Sequence, residues 1–271
     1  MMRKPQLQTI TENQIDLWFC YDETITEPAL LRCYHELLNP EEKKQQARFH
    51  FAKHRHQYLI TRAMVRSVLS LYESHIAPQD WRFVKNEYGR PSIDNASLNL
   101  PLSFNLSHCE QLVVMAVSLV EEVGVDVEYL PRLGNPLEIA DHFFSKSELD
   151  QLYQLSEGER TNRFFDLWTL KEAYIKACGM GLSIPLDHFS YCFDEQQQID
   201  ITFVDQRNDV SELWNFWQVK PAISQKTSLA LKTSVPMQVD DISINMHEII
   251  PQENIEKVFY PISKGQLITD E

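Results

Sequence analysis

Residues 111–128 read QLVVMAVSLVEEVGVDVE, and this stretch decides how the rest of the chain is divided. Its two apolar segments, 111–119 and 123–127, are rich in β-branched residues, which fit the pleated surface of a strand. The acidic pair Glu121-Glu122 separates them, a pattern typical of a hairpin or of two adjacent strands. We therefore expect one structural half to end here and a second to begin.

Helical patterns dominate the segment before this stretch. Apolar residues recur at helical spacing over 27–46 and over 54–74. A strand is predicted at 81–86, followed by a turn at the YGRP of 88–91, because glycine tolerates positive φ and proline fixes its own φ. The NLSH of 105–108 then supplies an amide, a hydroxyl and an imidazole, which we expect on a loop.

The segment after the stretch begins with helices and ends with strands. One helix is expected at about 136–142 and another at 146–155, since Ser145 and Glu148 form a capping-box pattern. The longest helix covers 159–177 and ends at the sequence CGMG. Strands are then predicted near 188–193, 200–204, 214–219 and 227–232.

Helices followed by strands in each half favour an α+β fold over the regular alternation of a doubly wound sheet. We expect an N-terminal α+β half at 1–120, a C-terminal α+β half at 121–245, and a polar, mixed tail at 246–271. The halves share no visible sequence repeat, so their similarity cannot be argued from the residues alone.

The chain is acidic, with 25 basic and 39 acidic side chains among 271 residues and a net charge of −14. Nucleic-acid affinity is built on counterion release by Lys and Arg, so this balance disfavours a nucleic-acid-binding protein. No stretch approaches the roughly 20 apolar residues of a membrane helix, and the first residues lack the apolar run of a signal peptide. We expect a cytoplasmic protein with no membrane partner.

Five cysteines without CxxC spacing argue against a disulfide framework, and we expect buried, reduced thiols. The chain also lacks a glycine-rich P-loop, an HExxH, a GxSxG and a metal-spaced Cys/His cluster. Zinc enzymes, P-loop nucleotide hydrolases and serine hydrolases are therefore disfavoured.

An acidic pair lies within the strand of the GVDVE segment. Because side chains alternate along a strand, Asp126 and Glu128 share one face while Val125 and Val127 pack behind them. A solvated strand edge explains an isolated acid pair well. The alternative is a site for a hard cation such as Mg²⁺, which prefers carboxylates, waters and phosphate oxygens.

The longest helix carries a second candidate group. Trp168, Glu172 and Lys176 are spaced four apart and line one helix face. An exposed Glu-Lys pair worth about 0.3–0.5 kcal/mol is the simpler interpretation. The sequence GMGL at 179–182 favours a functional one, because two glycines beside a cation allow a ligand to approach the backbone closely.

Six segments in the same order and at similar spacing resemble the 4′-phosphopantetheinyl transferase superfamily, in its surfactin-synthetase (Sfp) type. The segments are RFHFAKHRHQYLITRAMVRSVL, EYGRP, NLSH, GVDVE, FFSKSEL and WTLKEAYIKACGMGLSIPL, within residues 39–190. Each motif alone is weak, but their order is specific. The WTLKEA form resembles the W-KEA subgroup rather than the shorter, trimeric fatty-acid-synthase type.

The resemblance implies a monomeric pseudo-dimer of two similar α+β halves, with coenzyme A bound in the cleft between them. It implies transfer of the 4′-phosphopantetheine arm of coenzyme A to a serine of an apo acyl or peptidyl carrier protein, with release of 3′,5′-ADP. The implied cofactor is Mg²⁺, with Mn²⁺ as a substitute. The carriers serve fatty acid, polyketide or nonribosomal peptide synthases.

The resemblance also implies roles for individual residues. The metal would be held by Asp126, Glu128 and Glu172. The catalytic residues would be Glu172, as a candidate base for the serine proton, with Lys176 and His108 contacting the pyrophosphate. The remaining implied coenzyme A contacts are Tyr88, Gly89, Arg90, Pro91, Asn105 and Ser107.

The chain departs from the family pattern where the 3′-phosphate of coenzyme A should bind. Glu42 and Gln45 stand at positions that are often basic. The candidates for this contact are Lys44, Arg48 and Arg55, without a choice among them. Two further arginines, at 62 and 66, are instead expected to pair with acids between the halves.

Two other classes of function remain open, a catalytically inactive pseudo-dimer that binds carrier proteins and a coenzyme A-binding regulator. None of the metal-binding acids nor Lys176 is lost, which favours the enzyme. Carrier proteins are usually acidic, as is this chain, so a local apolar patch is expected to recognise them. Candidates for that patch are Phe143, Phe144 and Leu149, with core packing as the expected role of at least one of them.

Overall fold

A computed structural model of the chain describes residues 7–131, 136–193, 198–260 and 262–263. Within these ranges, no helix is long and apolar enough to cross a membrane.

Within the described residues, the N-terminal half contains three α-helices and five strands. In chain order they are β1 (Gln14–Cys20), α1 (Pro28–Leu37), α2 (Pro40–Arg48), α3 (Ala52–Tyr72), β2 (Phe83–Lys85), β3 (Pro91–Ile93), β4 (Ser103–Cys109) and β5 (Leu112–Ser118).

The C-terminal half repeats this order of elements. They are β6 (Val123–Tyr129), α4 (Pro136–Phe143), α5 (Lys146–Gln154), α6 (Glu157–Cys178), β7 (Phe189–Phe193), β8 (Ile199–Phe203), β9 (Trp214–Val219) and β10 (Gln225–Lys232). Three further strands follow, β11 (Ser243–Ile250), β12 (Asn254–Val258) and β13 (Ile262–Ser263).

The two main sheets share one topology. Their strand orders are β12-β11-β1-β5-β4 and β13-β9-β10-β6. In each half the first strand pairs antiparallel with the last one, β1 with β5 and β6 with β10. The last strand in turn pairs antiparallel with the one before it, β4 or β9. The expected α+β fold with two similar halves is confirmed.

A buried ion pair holds the corresponding helices together in each half. Both α2 and α5 begin with a capping box whose glutamate, Glu42 or Glu148, is buried. Glu42 pairs with Arg62 at 2.5 Å and with Arg66 at 2.7 Å, both on α3. Glu148 pairs with Lys171 of α6 at 2.8 Å. The two arginines are thus structural, but they pair within the N-terminal half and not between the halves.

Apolar contacts between the sheets form the centre of the molecule. Alternate residues of β1, β6 and β10, among them Leu17, Val125 and Leu229, form one buried cluster there. A second apolar cluster lies under the helices of the N-terminal half, and a third lies under the helices of the C-terminal half. The strands β4 and β6 are edge strands of different sheets. They are linked by a side chain, since Asn105 Oδ1 accepts the backbone N–H of Val125 at 3.0 Å.

Most predicted elements are confirmed, including α3, the three helices of the C-terminal half and strands β7 to β10. Residues 27–46, however, form parts of two helices, because Asn39 caps α2 and Pro40 cannot continue α1. The NLSH of 105–108 lies in strand β4, not on a loop. The segments 111–119 and 123–127 do not pair as a hairpin, because β5 and β6 belong to different sheets.

In the part of the chain that the structure describes, the five cysteines are thiols and not disulfides, and Cys20 alone among them is buried.

Residues 246–258, which the sequence places in a tail, form most of β11 and β12. Strand β11 pairs parallel with β1, so that His247 lies opposite Trp18. The C-terminal part of the chain therefore extends the sheet of the N-terminal half. This partner lies more than two hundred residues away in the sequence, and no local pattern indicates it.

Candidate active site

A glycine brings α6 directly onto strand β6. A Cβ atom on Gly124 would lie 2.0 Å from the carbonyl oxygen of Ala173 and 2.6 Å from the backbone nitrogen of Ala177. No side chain fits at that separation, so the face of β6 that carries Gly124 contacts the backbone of the helix. This role of Gly124 was not predicted from the sequence, although a glycine inside a strand pattern is a signal for close approach of another backbone.

The two acids predicted to share a face of β6 point towards α6. Val125 and Val127 lie on the other face, in the buried cluster between the sheets, as expected. Asp126 is only 4% exposed. Its Oδ1 accepts hydrogen bonds, while its buried Oδ2 has no hydrogen-bond partner among the described residues.

Lys176 joins the two halves at Asp126. Its Nζ donates to Asp126 Oδ1 at 2.6 Å and to the Ser107 hydroxyl at 2.9 Å. That hydroxyl in turn donates to the same carboxylate oxygen at 2.9 Å. Because Ser107 lies on β4 and the other two residues on β6 and α6, the contact spans the cleft between the halves. The simpler interpretation of Lys176, an exposed ion pair with Glu172 on the same helix, is therefore wrong, because its hydrogen-bond partners lie on β4 and β6.

Trp168 contacts the second acid of the strand. Its indole Nε1–H donates to Glu128 Oε1 at 3.1 Å, and its ring stacks on Phe164. The predicted helix face of Trp168, Glu172 and Lys176 thus lies along β6, with the tryptophan at Glu128 and the lysine at Asp126. The sequence indicated this face but not the tryptophan's contact.

Glu172 lies between these two contacts and has a perturbed pKa. Burial, together with the charges of Asp126 and Glu128, raises the pKa of Glu172 to about 7, and Lys176 opposes the shift. The three carboxylates are therefore close enough to repel one another. An added positive charge at this place would be favourable.

The donor set fits a hard divalent cation. Carboxylate oxygens are the ligands that Mg²⁺ prefers, and Oδ2 of Asp126 is a buried acceptor without a hydrogen-bond partner among the described residues. In the described ranges, no three His, Cys, Asp or Glu side chains already converge tightly enough to hold a metal ion. The site therefore fits Mg²⁺ through the chemistry of its oxygen donors and through the mutual repulsion of its three carboxylates.

His108 lies on β4 next to Ser107 and remains partly open to solvent. Partial desolvation and the positive charge of Lys176 lower the pKa of His108 from its usual 6.5. This shift favours the neutral imidazole. A neutral imidazole beside a lysine offers one N–H donor to a ligand in the cleft.

The other predicted ligand-binding residues all lie in the N-terminal half. Asn105 is buried and bonded to β6. The YGRP of 88–91 forms the turn between β2 and β3 and the start of β3, and its arginine bonds to Ala177 O. Lys44 and Arg48 are exposed on α2, whereas Arg55 donates to the carbonyl oxygens of residues 49 and 50. These contacts leave the choice of a 3′-phosphate ligand open.

Comparisons with known proteins point to one family. A model of the 4′-phosphopantetheinyl transferase superfamily matches residues 122–233, and a model of the N-terminal part of a 4′-phosphopantetheinyl transferase matches residues 27–120. The two matches fall on the two halves of the fold.

Among characterised relatives, the chain is 35% identical over 176 residues to the 4′-phosphopantetheinyl transferase Sfp of Bacillus subtilis, covering 65% of this chain and 75% of the relative. It is 30% identical over 181 residues to the transferase HetI of Nostoc sp., covering 66% and 75%. Among solved structures, a holo-(acyl-carrier-protein) synthase of Bacillus anthracis in complex with CoA (3′,5′-ADP) matches with a TM-score of 0.35 and 16% identity, covering 42% of this chain and 98% of that one.

Proposed function

The chain belongs to the 4′-phosphopantetheinyl transferase superfamily, and from this premise we propose that transfer takes place at the centre formed by β4, β6 and α6. The enzyme is of the Sfp type and transfers the 4′-phosphopantetheine arm of coenzyme A to apo carrier proteins. The observation that most supports this location is that Lys176 donates hydrogen bonds to Asp126 of one half and to Ser107 of the other.

The reaction is a phosphoryl-type transfer. The hydroxyl oxygen of the carrier serine forms a bond to the β-phosphorus of coenzyme A. The bond from that phosphorus to the bridging oxygen breaks, and 3′,5′-ADP leaves with the electron pair. The serine proton passes to a base. Such transfers depend mostly on positioning and on stabilising charge that develops on the phosphoryl oxygens.

Glu172 is suited to receive the serine proton. A base works best near neutral pH when its own pKa lies close to it, and the pKa of Glu172 is raised to about 7. The carboxylate lies on a helix that is packed tightly against β6 through Gly124. Its orientation is therefore fixed by backbone contacts rather than by a loop.

Lys176 lies close enough to His108 for its charge to act on the imidazole, and both groups would bind the pyrophosphate. The ammonium group offers a positive charge near the bridging oxygen, and the neutral imidazole offers a hydrogen bond. Both groups lie at the junction of the halves, so coenzyme A would bind across it. In the N-terminal half, Tyr88, Gly89 and Ser107 would contribute further contacts to coenzyme A.

The donor chemistry of the site supports Mg²⁺ as cofactor, with Mn²⁺ as a substitute. Asp126, Glu128 and Glu172 would hold the ion. When bound, it would neutralise charge on the pyrophosphate oxygens and make the phosphorus easier to attack. The raised pKa of Glu172 supports this assignment, since burial and the charges of Asp126 and Glu128 disfavour its ionised form, which a bound cation would favour.

We further propose that the enzyme belongs to the W-KEA subgroup, because its sequence contains the motif WTLKEA. We also propose that it is a monomer in the cytoplasm and that its carrier belongs to a fatty acid, polyketide or nonribosomal peptide synthase.

Intact-mass measurement of an apo carrier protein tests the function. After incubation with coenzyme A, Mg²⁺ and the enzyme, we expect the carrier to gain the mass of one phosphopantetheine group while one 3′,5′-ADP is released per carrier. Binding of both coenzyme A and carrier without any mass gain, over a panel of acyl and peptidyl carriers, would instead identify a non-catalytic binding protein.

A further inference from the structure

The turn between β2 and β3 is bonded to the C-terminal end of α6, although the two belong to different halves. Asn86 Nδ2 donates to the carbonyl oxygen of Gly179 at 2.7 Å. Arg90 Nη1 donates to the carbonyl oxygen of Ala177 at 2.8 Å, and its Nη2 donates to the carbonyl oxygen of Glu121 in the linker between the halves. Three backbone carbonyls of the C-terminal side are thus satisfied by two side chains of one turn.

The turn itself is held in shape by Asn86. Its Oδ1 accepts the backbone N–H groups of Tyr88 at 3.0 Å and of Arg90 at 2.9 Å. Gly89 has a φ of +90°, which closes the turn. Because these bonds are local, the turn presents both donors in a fixed arrangement before it meets the helix.

The end of α6 is shaped to receive the arginine. Gly179 caps the helix with a φ of +70°, and a Cβ atom there would lie 2.8 Å from Cδ of Arg90 and 3.1 Å from its Nη1. The last carbonyl groups of a helix lack partners within the helix and carry partial negative charge. A half-buried guanidinium is therefore a favourable cap for Ala177, and glycine makes room for it.

This cap adjoins the residue that joins the halves. Ala177 directly follows Lys176, whose Nζ must stay within hydrogen-bond distance of Asp126 and Ser107. We propose that Arg90, oriented by Asn86, is a positioning residue that fixes the last turn of α6 against the N-terminal half and thereby holds Lys176 in the cleft. The proposal rests on the proposed function of Lys176. It gives the Arg90 side chain a role other than the coenzyme A contact that the resemblance implies.

Steady-state kinetics of Arg90→Ala distinguishes the two roles. A positioning residue should lower kcat about tenfold or more while the KM for coenzyme A changes less than about threefold, because transition-state contacts are lost and ground-state contacts remain. Arg82→Ala is the matched control, since this arginine is exposed and precedes the first strand of the same hairpin. It should change both constants less than about twofold. A large rise in KM at unchanged kcat would identify Arg90 as a coenzyme A ligand and overturn the proposal.

Hydrogen exchange of the free enzyme provides a readout that does not depend on activity. The backbone N–H of Gly179 is bonded to the carbonyls of Ile175 and Lys176, so its exchange reports on the last turn of α6. Arg90→Ala should speed exchange at residues 176–179 and Arg82→Ala should not. Equal exchange in both variants would overturn the proposal, whether or not the protein proves to be a transferase. If the alanine variant does not fold, Arg90→Lys can replace it, because lysine keeps the positive charge but cannot donate to both carbonyl oxygens as the guanidinium does. Exchange at residues 176–179 should be faster in this variant too.

Discussion

Nζ of Lys176 lies 2.6 Å from Oδ1 of Asp126, and this contact ties the longest helix to the strand that carries the acids. The carboxylate is almost fully buried while the lysine remains partly open to the cleft. The positive charge of Lys176 is therefore accessible to a ligand that enters the cleft beside β4.

Lys176→Ala should lower kcat by about 10²–10³-fold, the usual effect of removing one group that stabilises charge in the transition state. Release of 3′,5′-ADP measures it. Lys53→Ala is a suitable control because Lys53 also forms an ion pair, with Glu110, but both side chains are mostly exposed. A loss of activity equal in the two variants would show that the position of Lys176 has no special role.

Gly124→Ala should separate α6 from β6. The added Cβ would meet the backbone of Ala173 and Ala177, which cannot move without displacing the helix. We expect a lower melting temperature together with a loss of transfer activity. Gly158→Ala, near the start of the same helix, is the control because nothing lies within 4 Å of its added Cβ. That variant should be as stable as the wild type or slightly more so, by about 0.4–1 kcal/mol.

The affinity for Mg²⁺ should depend on pH through Glu172. A carboxylate must lose its proton to bind the ion, and the pKa of Glu172 in the metal-free protein is about 7. Affinity measured by calorimetry should therefore rise about tenfold per pH unit below that value and level off above it. In Glu172→Gln the affinity should be lower and the rise around neutral pH should disappear. An unchanged pH profile in this variant would rule out Glu172 as the titrating ligand.

The same group affects the stability of the metal-free protein. Its folded-state pKa of about 7 lies above the ordinary 4.5, so the stability that protonated Glu172 contributes is complete below 4.5 and is lost as the pH rises through 7. Chemical denaturation at a series of pH values should show a smaller decline over this window for Glu172→Gln than for the wild type. A parallel decline in both proteins would contradict the assignment.

The buried pair of Lys171 and Glu148 should be important for stability rather than for chemistry. Both side chains are fully buried, and the lysine also donates to the carbonyls of Leu186 and Phe189. Lys171→Met leaves a buried carboxylate without its partner and should cost about 3–5 kcal/mol in the free energy of unfolding. Lys53→Met breaks an exposed pair instead and should cost about 0–1 kcal/mol. Urea denaturation of the two variants measures the difference.

Local patterns in the sequence predicted much of the site. Alternation along β6 placed Asp126 and Glu128 on one face, and helical spacing placed Glu172 and Lys176 on another. The meeting of these two faces was implied by the family resemblance, and the structure explains it through Gly124. Periodicity describes single elements, whereas the distance between elements depends on how they pack.

Other features could not be predicted because they depend on contacts between distant residues. Ser107 reaches the centre only because β4 is an edge strand that lies against β6. Arg90 lies 87 residues from its helix partner Ala177. Strand β11 was expected to be part of a polar tail. Its pairing partner β1 lies at the opposite end of the chain, so nothing in the neighbouring sequence indicates the pairing. None of these contacts leaves a periodic signal in the sequence around it.

The most direct test of the central claim compares Asp126→Asn with Glu122→Gln in the carrier mass assay. Glu122 is an exposed acid four residues before Asp126, so its variant removes the same charge outside the centre. We predict that Glu122→Gln loads the carrier at the wild-type rate, whereas Asp126→Asn is folded but slower by about 10²-fold or more at saturating coenzyme A. Wild-type loading by a folded Asp126→Asn variant would contradict the claim that transfer takes place at this centre.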